Sequence, residues 1–427
     1  MSTVDQPVDL PDVDLADFDP FGHETQQCPH LYYEKMRSEC PVFRHDGTTF
    51  VFVTKYDEVL RIIRDTETFS SKFGVSSRPD DGTVDKVKEV QADGWPQVPT
   101  LLTNDPPSHD RLRRLVSKAF TPRQVAKLEP GIVETSEALI DAVVEERRCE
   151  FVADFAIPLP VTTIARALNV PEDRQADFKR WSDDATAAIG AMISEERRLE
   201  SAKGVLEFQQ YFAAELDARL DDPQDDILTG LNEARLDEED GVTGGPLDMA
   251  EKLGIIQQLL VAGNETTTKL LTESMRLLAE HPDQWRKLQA DPSRAGAVVE
   301  ECLRLASPTQ GMFRLVTRDT EVDGVAVSKG SMVIVMFASA NRDEDVFDGD
   351  PNAFDPDRDN LKAQIAFGKG VHYCIGANLA RLEVVKALEV LSRRLDTIEL
   401  ADPDGIEYEP SFVLRGIKRL DLRFTPA

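Results

Sequence analysis

Residues 367–376 read Phe-Gly-Lys-Gly-Val-His-Tyr-Cys-Ile-Gly, and this stretch decides the fold more than any other part of the chain. It places Cys374 in a loop with three glycines, directly before a helical pattern over residues 377–395. Glycines permit left-handed or cramped backbone and let flat partners approach closely. A cysteine at a helix start receives backbone N–H groups and the positive end of the helix dipole, which favour its thiolate form. An axial thiolate ligand of haem iron requires this arrangement.

A buried structural cysteine would be the better interpretation of an isolated Cys-x-Gly, but the full string is more demanding. Its members match the haem-ligand signature of one enzyme family at Phe367, Gly368, Gly370, His372, Cys374, Gly376, Ala377, Leu379, Ala380, Arg381 and Glu383. From about Pro29 to its C-terminus the chain therefore resembles the cytochrome P450 family. The resemblance implies haem b as cofactor, with Cys374 as the iron ligand and Phe367, Gly368 and Gly376 against the haem.

Composition excludes several classes of function. The chain has 427 residues, of which 41% are hydrophobic and 30% charged, as in an ordinary soluble globular protein. Its net charge of −29 argues against nucleic acid or an anionic membrane as a partner. Because the chain has no run of eighteen apolar residues and no basic segment at its N-terminus, we expect neither a membrane anchor nor a signal peptide. Five scattered cysteines fit a reducing cytoplasm.

Helical patterns dominate the chain from Ser108 onward. The longest, Asp248 to Glu280, predicts a helix that crosses the whole molecule. Strand-like alternation occurs over residues 42–55 and 316–337, and again beyond Leu395. We predict a mainly α fold with small β-sheets (α+β), which agrees with the cytochrome P450 fold that the resemblance implies.

Other segments carry weaker patterns. Residues 1–20 are acidic and predict a poorly ordered tail, which leaves residues 21–427 as one large helical domain. Residues 78–103 are polar and interrupted by proline and glycine, which predicts a long irregular loop. Residues 221–245 are acidic and rich in turn-forming residues, which predicts a connection between two long helices.

The middle of the long helix reads Ala262-Gly263-Asn264-Glu265-Thr266-Thr267. A glycine inside a helix costs up to ~1 kcal/mol relative to alanine and indicates close approach of a flat group or a local distortion. An acid and an alcohol in an otherwise apolar stretch need hydrogen-bond partners or a functional reason, although a solvent-facing pair is the alternative. The segment resembles the family's oxygen-activation motif. That resemblance implies that Ala262 and Gly263 lie against the haem, that Thr266 hydrogen-bonds O2 and that Glu265 relays protons.

Glu301 and Arg304 match the family's Glu-x-x-Arg motif. At i and i+3 their side chains share a helix face and can pair. The spacing alone is weak, because it recurs at Glu34, Glu145, Glu195 and Glu273 on what we interpret as solvated helix faces. The resemblance implies a structural role in which the pair joins the coil before the cysteine loop, with Arg358 as a third partner.

A haem carries two propionates, which need cationic or hydrogen-bonding partners at their buried edge. The positions that match the family's propionate-binding residues are His109, Arg113, Arg314 and His372. A surface helix is the alternative for the first two, because further arginines flank them. The remaining basic side chains of that helix, Arg111, Arg114 and Lys118, are equally well explained as a docking face for an electron donor and as solubilising charge.

The family's substrate-facing positions are nearly all apolar in this chain. They are Leu101, Leu102, Leu259, Met312, Phe313, Val413 and Leu414. Each of them could equally be plain core. Together they predict a hydrophobic small-molecule substrate such as a terpenoid, steroid, fatty acid or aromatic compound.

The resemblance implies a soluble bacterial monooxygenase that inserts one oxygen atom of O2 into such a substrate, typically by hydroxylation. The sequence contains neither an iron–sulfur cysteine pattern nor a dinucleotide fingerprint. We therefore expect electrons from a separate ferredoxin and an NAD(P)H-dependent ferredoxin reductase. The alternatives are a peroxide-driven peroxygenase or haem isomerase, and a non-catalytic haem protein that senses a ligand or transfers electrons.

Overall fold

The structure, a computed structural model, describes residues 13–46, 48–73, 83–187, 193–236 and 245–427. Over these ranges the chain is mainly helical with three small sheets, which confirms the predicted fold class. The helices are α1 His23–Gln27, α2 Pro29–Glu39, α3 Tyr56–Arg64, α4 Thr83–Gln91, α5 Ser108–Ala119, α6 Pro122–Lys127, α7 Glu129–Asp141, α8 Pro158–Ala167, α9 Gln175–Thr186, α10 Glu195–Asp221, α11 Ile227–Glu233, α12 Met249–Glu280, α13 Pro282–Ala290, α14 Ala295–Ala306, α15 Phe337–Ala340 and α16 Ala377–Arg394. None of the helices in the described ranges is long and apolar enough to cross a membrane.

The strands bring distant parts of the chain together. They are β1 Val42–Arg44, β2 Phe50–Val53, β3 Phe69–Ser70, β4 Arg148–Glu150, β5 Met312–Val316, β6 Thr320–Val322, β7 Val325–Val327, β8 Met332–Val335, β9 Leu395–Leu400 and β10 Asp421–Pro426. The largest sheet has the order β1-β2-β8-β5-β3, in which β2 and β8 run parallel. In the second sheet, β10 is the central strand and pairs with β4 on one side and β9 on the other. The third sheet is the hairpin β6-β7.

The central helix α12 has the predicted length and a well-defined start. Asp248 and Glu251 form a capping box, in which Asp248 Oδ1 accepts from the Glu251 N–H at 2.8 Å and Glu251 Oε2 accepts from the Asp248 N–H at 3.0 Å. Such a box satisfies two backbone donors that a helix start otherwise leaves free. The helix packs against α8, α9, α14 and α16, so its middle turns lie deep in the molecule.

Three segments with weak patterns contain more structure than those patterns indicate. In the predicted tail, residues 1–12 lie outside the described residues, and Phe18 is buried between the rings of Phe43 and Phe52. The predicted loop over residues 78–103 contains α4, and the predicted connection over residues 221–245 contains α11. Apolar residues of α11 are buried. Their helical pattern is short and lies within an acidic segment, so the sequence did not indicate a helix there.

The Glu301–Arg304 pair organises the coil that precedes the cysteine loop. Both side chains are fully buried, and they form two hydrogen bonds of 2.6 and 2.7 Å. The Arg304 guanidinium also donates to backbone carbonyls of Asn341, Pro351 and Ala353. In addition, Glu301 Oε1 accepts from the Asp355 N–H at 2.9 Å and lies 3.7 Å from Arg358 Nε. The three residues predicted to act together are thus in contact, and the pair fixes the path of the coil.

A buried carboxyl group joins three helices behind the cysteine loop. Glu383 of α16 is 2% exposed, and its Oε2 lies 3.5 Å from the Thr267 hydroxyl of α12. Thr163 of α8 is a further hydrogen-bond partner. Burial raises the pKa of Glu383 to about 8, while the hydrogen bonds of the two threonines oppose the rise. The acid is therefore largely protonated in the folded protein at neutral pH.

This protonated acid makes stability depend on pH. Its folded-state pKa lies above the ordinary value of 4.5, so its contribution is fully present below about pH 4.5 and lost as the pH rises through about 8. Glu383→Gln, which mimics the protonated acid, is expected to flatten that decline and to make the variant more stable than the wild type at pH 8. Urea unfolding across this pH range measures the effect. Glu389→Gln on the exposed side of α16 is the control, and curves for Glu383→Gln that parallel the wild type would contradict the prediction.

Candidate active site

The cysteine loop folds as its glycines require. Gly368 and Gly370 have φ of +67° and +73°, in the left-handed region that favours glycine. The Cys374 N–H donates to the Phe367 carbonyl at 3.0 Å, which closes the loop before α16 begins. Gly376 has an ordinary φ of −85°, but a Cβ there would lie 3.9 Å from Cys374 Sγ. Two glycines therefore serve the backbone, and the third leaves space beside the sulfur.

The Cys374 thiol lies in a mixed electrostatic environment. Burial raises the pKa of the Cys374 thiol, and it is the largest influence. The N–H groups of Gly376 and Ala377 and the guanidinium groups of Arg113 and Arg381 act in the opposite direction. The helix start thus favours the thiolate as expected, but burial outweighs it in the chain by itself. A cationic metal bound to sulfur would reverse this balance.

Arg381 braces the loop, a role that the sequence did not reveal. Its guanidinium lies 4.6 Å from the centre of the Phe367 ring and donates to the Tyr373 hydroxyl at 3.2 Å. Its Nε donates to Glu300 Oε1 of α14 at 2.5 Å. Arg381 therefore ties both ends of the loop to the neighbouring helix. The residue belongs to the family signature, but which partners it contacts depends on the position of α14.

The four residues predicted to hold propionates are brought to one side of the loop by α5, β5 and the loop itself. The rings of His109 and His372 lie 4.3 Å apart between centroids. Arg113 lies one turn after His109 on α5 and is close enough to Cys374 to influence its pKa. Arg314 is 4% exposed and acts on His372 electrostatically.

Three of these four residues have polar groups that lack a protein partner. His109 Nε2 and Arg314 Nε are buried without a hydrogen-bond partner. In the described part of the chain neither Arg113 nor Arg314 forms an ion pair, and burial lowers the pKa of Arg314 to about 10. His372 differs, because its Nδ1 lies 3.1 Å from the Leu101 carbonyl and its Nε2 lies 3.0 Å from the Ser71 hydroxyl. Both of its ring nitrogens already have protein partners.

These vacancies fit the haem that the resemblance implies. Buried cations without counter-ions are costly for a folded chain, and a group with two carboxylates beside a thiolate ligand would satisfy them. The orphaned nitrogens of His109 and Arg314 and the unpaired Arg113 are therefore suited to the propionates. Cys374, with space left by Gly376, is suited to the iron.

The central helix faces an open space at the predicted motif. Ala262 is exposed and Thr266 half-buried, although the neighbouring Leu260 and Thr267 are buried. The Thr266 hydroxyl donates to the Ala262 carbonyl at 2.6 Å, so its remaining lone pairs are acceptors. A Cβ at Gly263 would make an ordinary 3.7 Å contact with Ile164, so protein packing does not require glycine there.

Glu265 is not a free acid on this helix. Its Oε2 accepts from Lys269 Nζ at 2.8 Å, and Lys269 also contacts Glu409 Oε2 at 2.8 Å. Neither Lys269 nor Glu409 was among the site residues predicted from the sequence. The i, i+4 spacing of Glu265 and Lys269 could have indicated the first contact, whereas the second depends on the fold.

The predicted substrate residues divide between two places. Leu259 is buried in the main core, and Leu101 is buried beside the cysteine loop while Leu102 is exposed. Met312 and Arg314 lie on the same face of β5, because alternate residues of a strand share a face. Phe313 lies on the opposite face.

Phe313 lies in an aromatic cluster, and its contact with a substrate stays a prediction. Its ring packs with those of Phe50, Phe73 and Phe412 at centroid distances of 6.0, 5.6 and 6.0 Å. Val413 and Leu414 pack in the same apolar cluster. Because neighbouring residues of a strand point to opposite faces, the Phe313 ring lies on the face of β5 opposite to Arg314.

The basic face predicted on α5 is partly consumed by internal contacts. Arg111 donates to both carboxylate oxygens of Glu251 at the start of α12. Lys118 Nζ donates to the Arg235 carbonyl at 2.8 Å, although its side chain remains exposed. Arg114 is exposed. The helix therefore offers less cationic surface than its composition indicates.

Comparisons with known proteins agree with this geometry. A family model described as Cytochrome P450 matches residues 175–422. The chain is 34% identical over 420 residues to a steroid C26-monooxygenase of Mycobacterium tuberculosis, a match that covers 98% of each chain. It is similar to the solved structure of cytochrome P450 CYP109Q5 from Chondromyces apiculatus, with a TM-score of 0.83, 36% identity, and coverage of 97% of this chain and 100% of that one.

A further similar structure is that of CYP109E1 from Bacillus megaterium in complex with testosterone, with a TM-score of 0.79 and 30% identity. That similarity covers 92% of this chain and 99% of the other. Three observations lead to one assignment. Cys374 lies directly before α16, unsatisfied polar groups of His109 and Arg314 lie beside it, and the relatives match over nearly their full length. The chain belongs to the cytochrome P450 family and is a haem-thiolate monooxygenase.

Proposed function

We propose that the protein inserts one oxygen atom of O2 into a small or medium-sized hydrophobic molecule, with haem b as cofactor and electrons from a separate ferredoxin system. The observation that carries this proposal is the set of polar groups near Cys374 that lack protein partners: His109 Nε2, Arg314 Nε, and Arg113, which forms no ion pair among the described residues. The overall reaction consumes the substrate, O2, two electrons and two protons, and it yields the hydroxylated product and water.

In this proposal Cys374 binds the iron, and His109, Arg113 and Arg314 bind the propionates. Phe367, Gly368, Gly376, Ala262 and Gly263 border the haem, and His372 orders the Leu101 carbonyl beside it. When bound, the haem supplies the redox chemistry that activates O2. The form is haem b because the five cysteines include no Cys-x-x-Cys-His attachment motif.

Protons for the reaction are assigned to the acid and the alcohol of α12. The Thr266 hydroxyl donates its hydrogen bond to the Ala262 carbonyl, so its oxygen can accept from a hydrogen-bond donor in the open space beside the helix. The adjacent Glu265 carboxylate is 19% exposed and can exchange protons with solvent. A positioned pair of this kind contributes through general acid–base catalysis.

The substrate is proposed to be apolar, with steroids as the first class to test. This choice is supported by the apolar side chains of Leu101, Leu102, Leu259 and Met312, and by the steroid named for one relative and the testosterone bound to another. Terpenoids, fatty acids and aromatic compounds are the other apolar classes.

The redox partner and location are also proposals. A ferredoxin with an NAD(P)H-dependent reductase is supported by the absence of an iron–sulfur or dinucleotide motif from this sequence. A cytoplasmic location is supported by the five cysteines, all of which are free thiols. We further propose that residues 21–427 form one domain, because β2 pairs with β8 and β4 pairs with β10 across the length of the chain.

The ligand assignment predicts a spectroscopic change. Cys374→Ala is expected to lose the red-shifted Soret band that thiolate-ligated haem gives when reduced under carbon monoxide, because no other ligand of that type is available in the loop. Absorption spectra of the reduced, carbon monoxide-treated proteins measure this. Cys149→Ala, which removes another half-buried thiol, is the control. Retention of the band in Cys374→Ala would exclude the assignment.

The role of Thr266 predicts a loss of coupling. Thr266→Ala is expected to bind substrate as the wild type does but to divert electrons to hydrogen peroxide, because the acceptor that holds a proton donor in place is gone. The share of NAD(P)H consumed that appears as peroxide measures this. Thr272→Ala removes the same type of bond, 2.8 Å from the Thr272 hydroxyl to the Thr268 carbonyl, two turns later. Equal coupling in the two variants would contradict the role.

The substrate class is tested by titration of the ferric protein. Steroids are expected to shift the haem spectrum with saturable binding, because an apolar ligand displaces water from the site. Terpenoids, fatty acids and aromatic compounds of similar size form the comparison set. A shift with one of these and none with steroids would move the proposal to that class, and no shift with any of them would overturn it.

A further inference from the structure

Lys269 is a buried lysine that bridges two carboxylates from separate parts of the chain. It lies one helical turn after Glu265 on α12, and its side chain is 5% exposed. Its Nζ is 2.8 Å from Glu265 Oε2 and 2.8 Å from Glu409 Oε2. Glu409 belongs to residues 408–417, which a bridge between Tyr408 and Ile417 closes into what we call the C-terminal hairpin. Its side chain is 44% exposed. A continuous line of charged groups thus runs from the surface to the acid of the central helix.

The hairpin is shaped to accept this lysine. A Cβ at Gly416 would lie 2.5 Å from Lys269 Cγ and 2.8 Å from its Cε, so only glycine leaves room for the lysine stem. The Glu409 N–H donates to the Gly416 carbonyl at 2.8 Å, which places the carboxylate and the groove on the same rung of the hairpin. Space and charge for Lys269 therefore come from one local structure.

Glu265 and Glu409 are the two carboxylates that contact Lys269, and the other charged groups near it have partners of their own. Burial alone would lower the pKa of Lys269, but the carboxylates of Glu265 and Glu409 raise it, so the ammonium stays charged. Glu273, one turn further along α12, is paired with Arg276 at 2.7 Å. Arg415 of the hairpin lies over the Tyr408 ring and donates to backbone carbonyls near α1. These groups do not compete for the lysine.

We infer that Lys269 is a positioning residue that holds the Glu265 carboxylate in place for proton delivery, with Glu409 as its anchor. The inference rests on the proton role proposed above for Glu265. Lys269 Nζ binds Oε2 of Glu265 and leaves Oε1 for a proton or a water molecule. The lysine keeps its own proton, and the mobile proton passes through Glu265.

A purely mechanical link between helix and hairpin does not require charge. Apolar side chains of similar volume would join the two elements without the cost of burying an ammonium group. The charged link instead ends on the acid next to Thr266. The hairpin also carries Val413 and Leu414, so the anchor of the acid and two residues predicted to contact substrate share one element.

The test compares Lys269→Met, Lys269→Arg and Glu409→Gln in the haem-loaded protein. Lys269→Met is expected to lower the coupled turnover rate by about tenfold, a part of the roughly 10²–10⁴-fold that a positioned proton donor contributes. Substrate affinity from the spectral titration is expected to stay within about twofold, because Lys269 is not among the residues predicted to contact substrate. Lys269→Arg should restore most of the rate, and Glu409→Gln should give an intermediate loss.

A readout independent of turnover follows the anchor itself. Amide hydrogen exchange in residues 408–417 is expected to be faster in Lys269→Met and Glu409→Gln than in the wild type, because the hairpin loses its tie to α12. Lys386→Met is the matched control. Lys386 of α16 also bridges two carboxylates, Glu129 of α7 at 3.0 Å and Glu389 at 3.1 Å, and neither belongs to α12 or the C-terminal hairpin.

Glu265→Gln in the same assays separates the inference from the proposed function. If Glu265→Gln raises the peroxide share while Lys269→Met and Glu409→Gln couple as the wild type does, the positioning role is wrong and the role of Glu265 stands. If Glu265→Gln itself leaves coupling unchanged, the proton role fails and the inference fails with it. Two other outcomes would show that Lys269 has only a structural role. One is faster amide exchange in residues 408–417 together with no recovery of the turnover rate in Lys269→Arg. The other is an equal loss of turnover rate in Lys386→Met.

Discussion

The rest of the site depends on the fully buried ion pair between Arg304 and Glu301. One guanidinium pairs with Glu301 and donates to three carbonyls of the coil between α15 and the cysteine loop. A buried charge left without its partner is strongly destabilising, so each of these bonds constrains the path of the chain. The coil leads directly into the loop of Cys374. The position of the sulfur is thus set by an ion pair that takes no part in the chemistry.

A second constraint is the way in which positive charge is distributed. The chain carries a net charge of −29, yet it keeps Arg113 and Arg314 beside the cysteine without carboxylate partners. Other buried cations have protein partners: Lys269 pairs with two carboxylates, Arg304 with Glu301, and Arg415 donates to the backbone carbonyls of Gln26 and Gln27. A buried polar group without a partner is costly. The unsatisfied Arg314 Nε and His109 Nε2 beside Cys374 therefore suit a binding site, and a porphyrin with two propionates matches them.

The central helix combines two environments within one turn. Towards the open space it presents Ala262 and Thr266, whose hydroxyl is already turned to its own helix. Towards the C-terminal hairpin it presents Glu265 and Lys269. Because neighbouring residues of a helix point about 100° apart, the acid and the alcohol can be adjacent in sequence and still face different surroundings. In the proposed function, this geometry would deliver a proton from the solvent side while the reaction space stays apolar.

The sequence by itself determined the elements whose signals are local. The glycine-pinned loop of Cys374 and the helix over residues 249–280 depend on backbone propensity and short spacings, and those are written in neighbouring residues. The Glu301–Arg304 spacing is equally local, but only the family resemblance distinguished it from the same spacing elsewhere in the chain. The tertiary structure decided what depends on distant segments. Strand alternation turned Phe313 away from the side of Arg314, and the C-terminal hairpin brought Glu409 to Lys269. No local pattern encodes such contacts, because they form only when elements far apart in the chain pack together.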